Sequence, residues 1–333
     1  MFRILSVFAF VPVVCALLTC PAEADEPAAS RPAATQPSAK PTYTIGHTYR
    51  VGEKRTLTVE MVREMQFEGM PDLPIDLMKF QVRIDIELEV GRGGKPDEKT
   101  VTLRFRRIRM GVEGGDGQQK HETDTDRPET IEEGSREALS MIGLPLRAEL
   151  DSAGGIASLE GVDEFIEKVG APPTGDEMEE AREGVIRLFS SFLQAPRVAL
   201  PPEPVAVGAA WEVKDAPLLR DLAGAMSREA PEPDVECKFE RVEKGRKGGV
   251  AVVSLRDAAP PADRPGASGL QGEARYDLTR QDFIEYSVEE NEFDEHGVSK
   301  VRMIVRLSPP SNGTAGTHAA PATQSATAPA GEE

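Results

Sequence analysis

Residues 80–90 alternate apolar and polar side chains without a break, and no other stretch constrains the fold as much. Phe80, Val82, Ile84, Ile86, Leu88 and Val90 are separated by Gln81, Arg83, Asp85, Glu87 and Glu89. Period two belongs to a strand with one dry face and one wet face. The glycine-rich stretch 91–98 supplies turn chemistry, after which Val101, Leu103 and Phe105 resume the alternation. The implied hairpin sets Val90 against Val101, Leu88 against Leu103 and Ile86 against Phe105 on its dry face. On its wet face Glu87 meets Arg104 and Asp85 meets Arg106, opposite charges that help fix the register. The second strand changes phase near Arg107, where Ile108 and Met110 become the apolar positions. A curved sheet needs such breaks.

Other stretches extend this framework. Leu57, Val59 and Met61 alternate, Val62 interrupts them, and Met65 and Phe67 continue, which predicts a bulge or bend at Val62. The turn chemistry of 70–74 leads into the first hairpin. Residues 146–150 and 156–159 flank Asp151-Ser152-Ala153-Gly154-Gly155 as a second hairpin. Val235, Cys237 and Phe239 and the run 250–255 flank a Lys/Gly-rich turn at 244–249. A last hairpin turns at Asp294-Glu295-His296-Gly297 and places Ile284, Tyr286 and Val288 against Met303, Val305 and Leu307. Pairing Val288 with Met303 again sets acid against base, Glu285 with Arg306 and Glu289 with Arg302. Ala274-Arg275-Tyr276-Asp277 echoes Ala148-Glu149-Leu150-Asp151, a hint of an internal repeat.

Helical spacing is confined to the middle of the chain. A short helix is expected over 135–142 and another from Val162 to near Gly170. Thr174 and Glu177 form a capping box for a longer helix. Met178, Ala181, Val185, Leu188, Phe189 and Phe192 then make one apolar stripe, the face of a helix laid on a sheet. The fold class is mainly β, in an α+β arrangement. It is a curved antiparallel sheet or half-barrel with one long amphipathic helix and one or two short helices packed on it.

The N-terminus reads as an export signal over 1–24. Arg3 precedes an apolar run, and Ala22-Glu23-Ala24 is a cleavage pattern that puts the mature start at Asp25. The alternative, lipidation at Cys20, fits less well because Thr19 is larger than the residue a lipobox favours there. The expected address is secreted or periplasmic, with no transmembrane segment after signal removal, since no later run is long enough. Residues 25–41 and the Ala/Pro/Thr-rich tail 308–333 carry too little apolar surface to offset ordering entropy and are expected to be disordered spacers. The β-rich domain then spans 42–307. It is either one unit or two similar halves, 42–160 and 200–307, joined by a helical segment 161–196.

Composition excludes several functions. The formal net charge of −18 opposes binding to nucleic acid or to an anionic membrane surface. Aromatic residues make up 5% of the chain, with Trp211 the single tryptophan, too few for a stacking platform. Of the three cysteines only Cys237 lies beyond the signal, so no intramolecular disulfide forms, and its strand setting reads as a small buried side chain. The chain has no Gly-x-Ser-x-Gly elbow, no His-Glu-x-x-His, no Cys-x-x-Cys and no phosphate-cradling glycine loop. Of four histidines, His47, His121, His296 and His318, no two have ligand spacing. The run His121-Glu122-Thr123-Asp124-Thr125-Asp126 lacks the placed glycine and late glutamate of a calcium loop, and reads as a solvated loop or edge strand. No catalytic residue, metal or cofactor is expected.

Pro201, Pro204, Val205, Val207, Gly208 and Trp211 carry a Pro-x-x-Pro-Val-x-Val-Gly-x-x-Trp pattern, and Asp151, Gly154 and Ile156 form an earlier strand-Asp-x-x-Gly-strand element. In these the chain resembles a family of exported bacterial proteins sharing a domain of unknown function, similar in style to lipoprotein-carrier folds. The resemblance covers about residues 43–307 and implies that Trp211, Gly208, Pro204, Asp151 and Gly154 are structural anchors. An inserted helix over 215–228 departs from it. Two functions stand level: a non-catalytic binder of a lipid or other apolar ligand in the curved sheet, and a structural or interaction protein of the cell envelope. An unrecognised hydrolase comes third. A hollow space between sheet and helix favours the carrier and a filled one the scaffold.

Overall fold

The computed structural model describes residues 41–67, 77–114, 120–131, 136–152, 154–169, 175–214, 216, 234–245, 248–258, 269–294 and 297–312. The export signal, both spacers in large part, the 70–74 turn, Thr174, the insertion at 215–228 apart from Ala216, and His296 lie outside them.

The N-terminal half supplies β1 (Thr42–Tyr43), β2 (Glu53–Phe67), β3 (Leu77–Arg92), β4 (Lys99–Gly114), β5 (Lys120–Asp124), α1 (Arg136–Ser140), β6 (Pro145–Leu150) and β7 (Ile156–Glu160). Two helices follow, α2 (Val162–Val169) and α3 (Asp176–Gln194), the latter running into a 3-10 turn at Ala195–Arg197. The remainder is β8 (Val205–Ala206), β9 (Ala210–Val213), β10 (Val235–Lys244), β11 (Gly249–Asp257), β12 (Gln271–Asp277), β13 (Asp282–Asp294), β14 (Gly297–Leu307) and β15 (Ser311–Asn312).

One antiparallel sheet of 13 strands holds nearly all of these, in the order β7-β6-β4-β3-β2-β14-β13-β12-β11-β10-β9. β5 adds to β4 and β15 to β2, while β1 and β8 form a separate two-stranded ribbon. The sheet is curved and does not close, because β7 and β9 do not pair with each other. Each half of the chain builds one arm, and the arms meet where β2 pairs with β14 from Leu57↔Leu307 to Phe67↔Gly297. Order extends past the expected boundary at 307: Ser308 donates its amide to Thr56, and Ser311 pairs with Lys54.

The first hairpin has the expected register, with Val90↔Val101, Leu88↔Leu103, Ile86↔Phe105 and Glu87↔Arg104. It differs at Asp85, which stands opposite Arg107. Arg106 is the extra residue of a bulge, and this lets both Phe105 and Ile108 face the core. The bulge expected at Val62 is absent, since β2 pairs without a shift on both sides. Its inward phase simply includes a polar residue, Arg63, whose Nε donates to Ser299 Oγ at 2.9 Å. The last hairpin follows the expected register from Glu285↔Arg306 to Glu289↔Arg302. Beyond it, Ile284 is a bulge residue with no partner on β12, and Phe283 takes the buried place instead.

The two faces differ sharply. Inside, Phe105 packs edge-on against Phe189 (5.4 Å) and Phe192 (6.4 Å), and Phe165 of α2 joins Phe189 at 5.4 Å. On the other arm Tyr276, Phe283 and Tyr286 form a second fully buried aromatic group. Each such side chain contributes about 1.5–3 kcal/mol by leaving water. Outside, acids and bases link strand to strand: Arg83 to Glu60 (3.0 Å), Glu60 to Arg306 (3.0 Å), Arg306 to Glu285 (3.1 Å), Glu285 to Arg275 (3.8 Å) and Arg275 to Glu243. That relay runs from β3 to β10.

The long helix lays its stripe on the sheet as the spacing predicts, with Val185, Phe189 and Phe192 buried. Its start differs from the expected capping box. Gly175 holds the N-cap position at φ 62° with no side-chain cap.

Candidate functional site

The strongest polar constellation lies beneath residues 41–52, a strap that crosses the C-terminal arm before entering β2. Its first residues pair as β1 with β8, Thr42↔Ala206 and Tyr43↔Val205. The Tyr43 ring meets Phe239 edge-on at 5.6 Å. Ile45 and Tyr49 point into the core, and the Tyr49 hydroxyl donates to the Leu193 carbonyl at 2.9 Å, tying the strap to the end of α3.

Under the strap, Asp282 at the start of β13 accepts from two elements. Arg55 of β2 reaches it with a bidentate fork, Nη1 to Oδ1 at 2.8 Å and Nη2 to Oδ2 at 2.7 Å. His47 Nδ1 lies 3.0 Å from Oδ1. The side chains of His47, Arg55 and Asp282 are 1%, 2% and 6% exposed, so solvent scarcely reaches the cluster. Glu53 stands 3.0 Å from the same guanidinium, and Arg280 approaches Asp282 at 3.8 Å. Arg50 closes the arrangement by donating to the Arg280 carbonyl.

Electrostatics follow from burial and pairing. Burial alone would raise the Asp282 carboxyl, but the hydrogen bonds from His47 and Arg55 outweigh it and hold it at about 2. Burial pulls His47 below its ordinary value despite the carboxylate beside it. His47 is therefore neutral near pH 7, and an ionised Asp282 assigns the proton to Nδ1. Its Nε2 is buried without a hydrogen-bond partner. A His–carboxylate pair invites a general-base reading. Here no hydroxyl or thiol of the described residues lies within hydrogen-bonding reach of Nε2, and the ring lies edge-to-face beside Tyr49 at 4.7 Å. The arrangement clamps the strap to β2 and β13.

The cluster has a faint sequence signal. Arg55 shares the phase of Leu57, Val59 and Met61, so a charge stands where the alternation demands an apolar side chain. His47 and Asp282 are 235 residues apart and carry no motif.

The anchors named from sequence sit elsewhere. Asp151 Oδ1 accepts from the Gly155 amide at 2.7 Å and closes the β6–β7 turn. Gly154 has φ +80°, and the guanidinium of Arg197 lies where a β-carbon would project, its Nη1 3.0 Å away. Gly208 has φ +92° and its amide donates to the Phe239 carbonyl at 2.7 Å, fixing the turn into β9. Pro204 is exposed just before β8. Trp211 pairs with Cys237 in β9 and packs on the core half-buried, its indole N–H without a partner. The turn at Asp151–Gly154 and the segment Pro204–Trp211 thus serve opposite ends of the strand order and are not brought together as one site.

Remaining reactive types are placed as follows. Burial pushes the Cys237 thiol up to about 12, the state of a packed rather than a reactive cysteine. His121 lies on β5, an edge strand paired with β4. The run 121–126 supplies the edge strand, one of its two expected readings, but Asp124 at the end of that strand is not solvated. It is fully buried, held by Arg107 Nη2 at 2.5 Å and by Arg127 Nε at 3.3 Å. Among the described residues, no three His, Cys, Asp or Glu side chains are grouped to hold a metal ion, and no helix is long and apolar enough to cross a membrane. A shallow groove of about 310 Å³ lies between the end of β7, α2 and α3, spanned by the Arg182–Asp163 ion pair.

No protein-family model and no curated protein matches the chain. Solved structures similar to it include a beta-barrel-like protein of the domain of unknown function DUF1849 from Brucella abortus, at 10% identity and a TM-score of 0.24, covering 78% of this chain and 99% of that one. DynF from the dynemicin biosynthesis pathway of Micromonospora chersina matches at 8% identity and a TM-score of 0.19, over 84% and 93%. A DUF1329 family protein from Desulfovibrio piger matches at 7% identity and a TM-score of 0.15, over 78% and 86%. At these TM-scores the likeness carries no functional weight.

Proposed function

We propose that this protein is an exported, non-catalytic interaction or structural protein of the cell envelope, in which the curved sheet is a rigid frame. The observation that carries this reading is the close packing of buried aromatic side chains between sheet and helix among the described residues. Phe105, Phe165, Phe189 and Phe192 make it on one arm and Tyr276, Phe283 and Tyr286 on the other, with α3 between. A carrier of an acyl chain needs an apolar cavity of several hundred cubic ångströms. Rings in direct contact and cut off from solvent leave no such volume where these groups meet. The buried His47–Asp282–Arg55 cluster supports a structural role as well, because both oxygens of Asp282 are engaged by the Arg55 fork and the His47 ring is closed off from solvent.

Native mass spectrometry of the protein purified from envelope extracts tests the proposal. The expected mass is that of the polypeptide from Asp25 onward, free of apolar adducts, with no saturable uptake of a fluorescent fatty acid. A stoichiometric lipid adduct would overturn the reading in favour of a carrier.

A further inference from the structure

We propose that the strap 41–52 is a latch that mild acid releases, with His47 as the group that takes the proton. The strap is held at a few discrete points. Its backbone pairs with β8 at two positions, Tyr49 donates to Leu193, Arg50 donates to Arg280, His47 engages Asp282, and at its far end the Gly52 amide donates to the Val90 carbonyl of β3 at 2.8 Å, the point at which the strap hinges. Between these points Ile45, His47 and Tyr49 are its buried side chains. Releasing it would bare the edge of Phe239 and the last turn of α3 without breaking any pairing of the large sheet.

The direction follows from what faces the imidazole. Asp282 from β13 favours its protonation, but both carboxylate oxygens are already engaged by Arg55. Arg55 from β2 and Arg197 from the turn after α3 oppose a third cation. Tyr49, on the strap itself, presents a ring edge and is neutral, its hydroxyl pushed above its ordinary value by burial. Glu53 is held to Arg55, and Arg280 adds positive charge on the far side of Asp282. A proton arriving at Nε2 would create a buried N–H without an acceptor among the described residues and a further cation beside Arg55 and Arg197. Water receives both once the strap lifts. The proton therefore binds the open strap more tightly than the closed one, and falling pH favours opening. The window opens below the ordinary histidine value of about 6.5 and lies above the range in which Asp282 titrates.

Hydrogen–deuterium exchange on the full chain at pH 7.5 and pH 5.0, corrected for intrinsic rates, tests the latch. Protection over 42–50 should fall severalfold and by no more than about thirtyfold, the ceiling set by an ordinary histidine value of about 6.5 read at pH 5.0, while β3 and β4 stay protected. His47→Asn keeps a donor near the Nδ1 position and cannot be protonated, so its strap should stay protected at pH 5.0. Arg50→Ala, at a partly exposed position, removes one anchor and should move release to higher pH. Equal strap protection at both pH values, equal loss in His47→Asn, loss shared by β3 and β4, or an unmoved midpoint in Arg50→Ala would each overturn the proposal.

Discussion

Arg55 occupies a core position of β2 and makes its charge tolerable only through Asp282, 227 residues away. Such a pair contributes little net stability over an apolar isostere, yet removing one partner strands the other. Arg55→Met should therefore destabilise the protein by about 3–5 kcal/mol, and adding Asp282→Leu should recover most of the loss, read as urea midpoints. Asp282 and Asp124 also set an acid limit. Each carboxyl is held at about 2 in the folded protein against an ordinary 3.8. Because these folded values are depressed, their contribution is complete above the unfolded value and disappears as pH falls through the folded one. Global stability should drop steeply between about pH 4 and pH 2, and Asp124→Asn should flatten that slope in thermal melts. At this scale sequence reasoning had one usable sign, the misplaced charge of Arg55. His47 sits in an aperiodic strap and Asp282 beside a bulge, so neither position advertises its burial.

Elements were legible where alternation was long and uninterrupted. The register of β3 with β4 and of β13 with β14 follows from pairing apolar residues on one face and opposite charges on the other. The misses share a cause, which is that a bulge moves one residue out of phase without changing composition. At β4 the displaced residue is Arg106, whose Nη2 reaches Glu87 at 2.6 Å, while Asp85 is bonded by Thr58 at 2.7 Å. Glu87 is thereby shared between Arg106 and the more distant Arg104, at 3.7 Å. A double-mutant cycle reversing Glu87 and Arg106 should return a coupling of about 0.2–1 kcal/mol, larger than the cycle with Arg104 and weakened by salt. No measurable coupling at either position would contradict the bulged register. The capping box failed for a local reason, since Gly175 takes the N-cap place and offers no side chain.

For the whole molecule, the balance of sheet and helix was readable from periodicity, but the strand order was not. Alternation says which face of a strand is dry and is silent on its neighbours. Nothing in the runs around Leu57 and Leu307 announces that they lie side by side, and two halves written in sequence prove to be two arms of one sheet. The mutual packing of Phe105, Phe165, Phe189 and Phe192 was equally hidden, because aromatic stripes look alike whether their rings line a cavity or meet one another.

The seam between β2 and β14 has a consequence in time. A ribosome adding about 5–20 residues per second needs on the order of 10–50 s to cover the roughly 240 residues separating these partners. Throughout that interval β2 can bond to β3 while its other edge waits. Lys54, Glu60 and Glu64 stud that waiting strand with charge, which discourages edge-to-edge association between nascent chains. The sheet is complete only when the last strands arrive, so a chain truncated before 297 would lose the partner that joins its two arms.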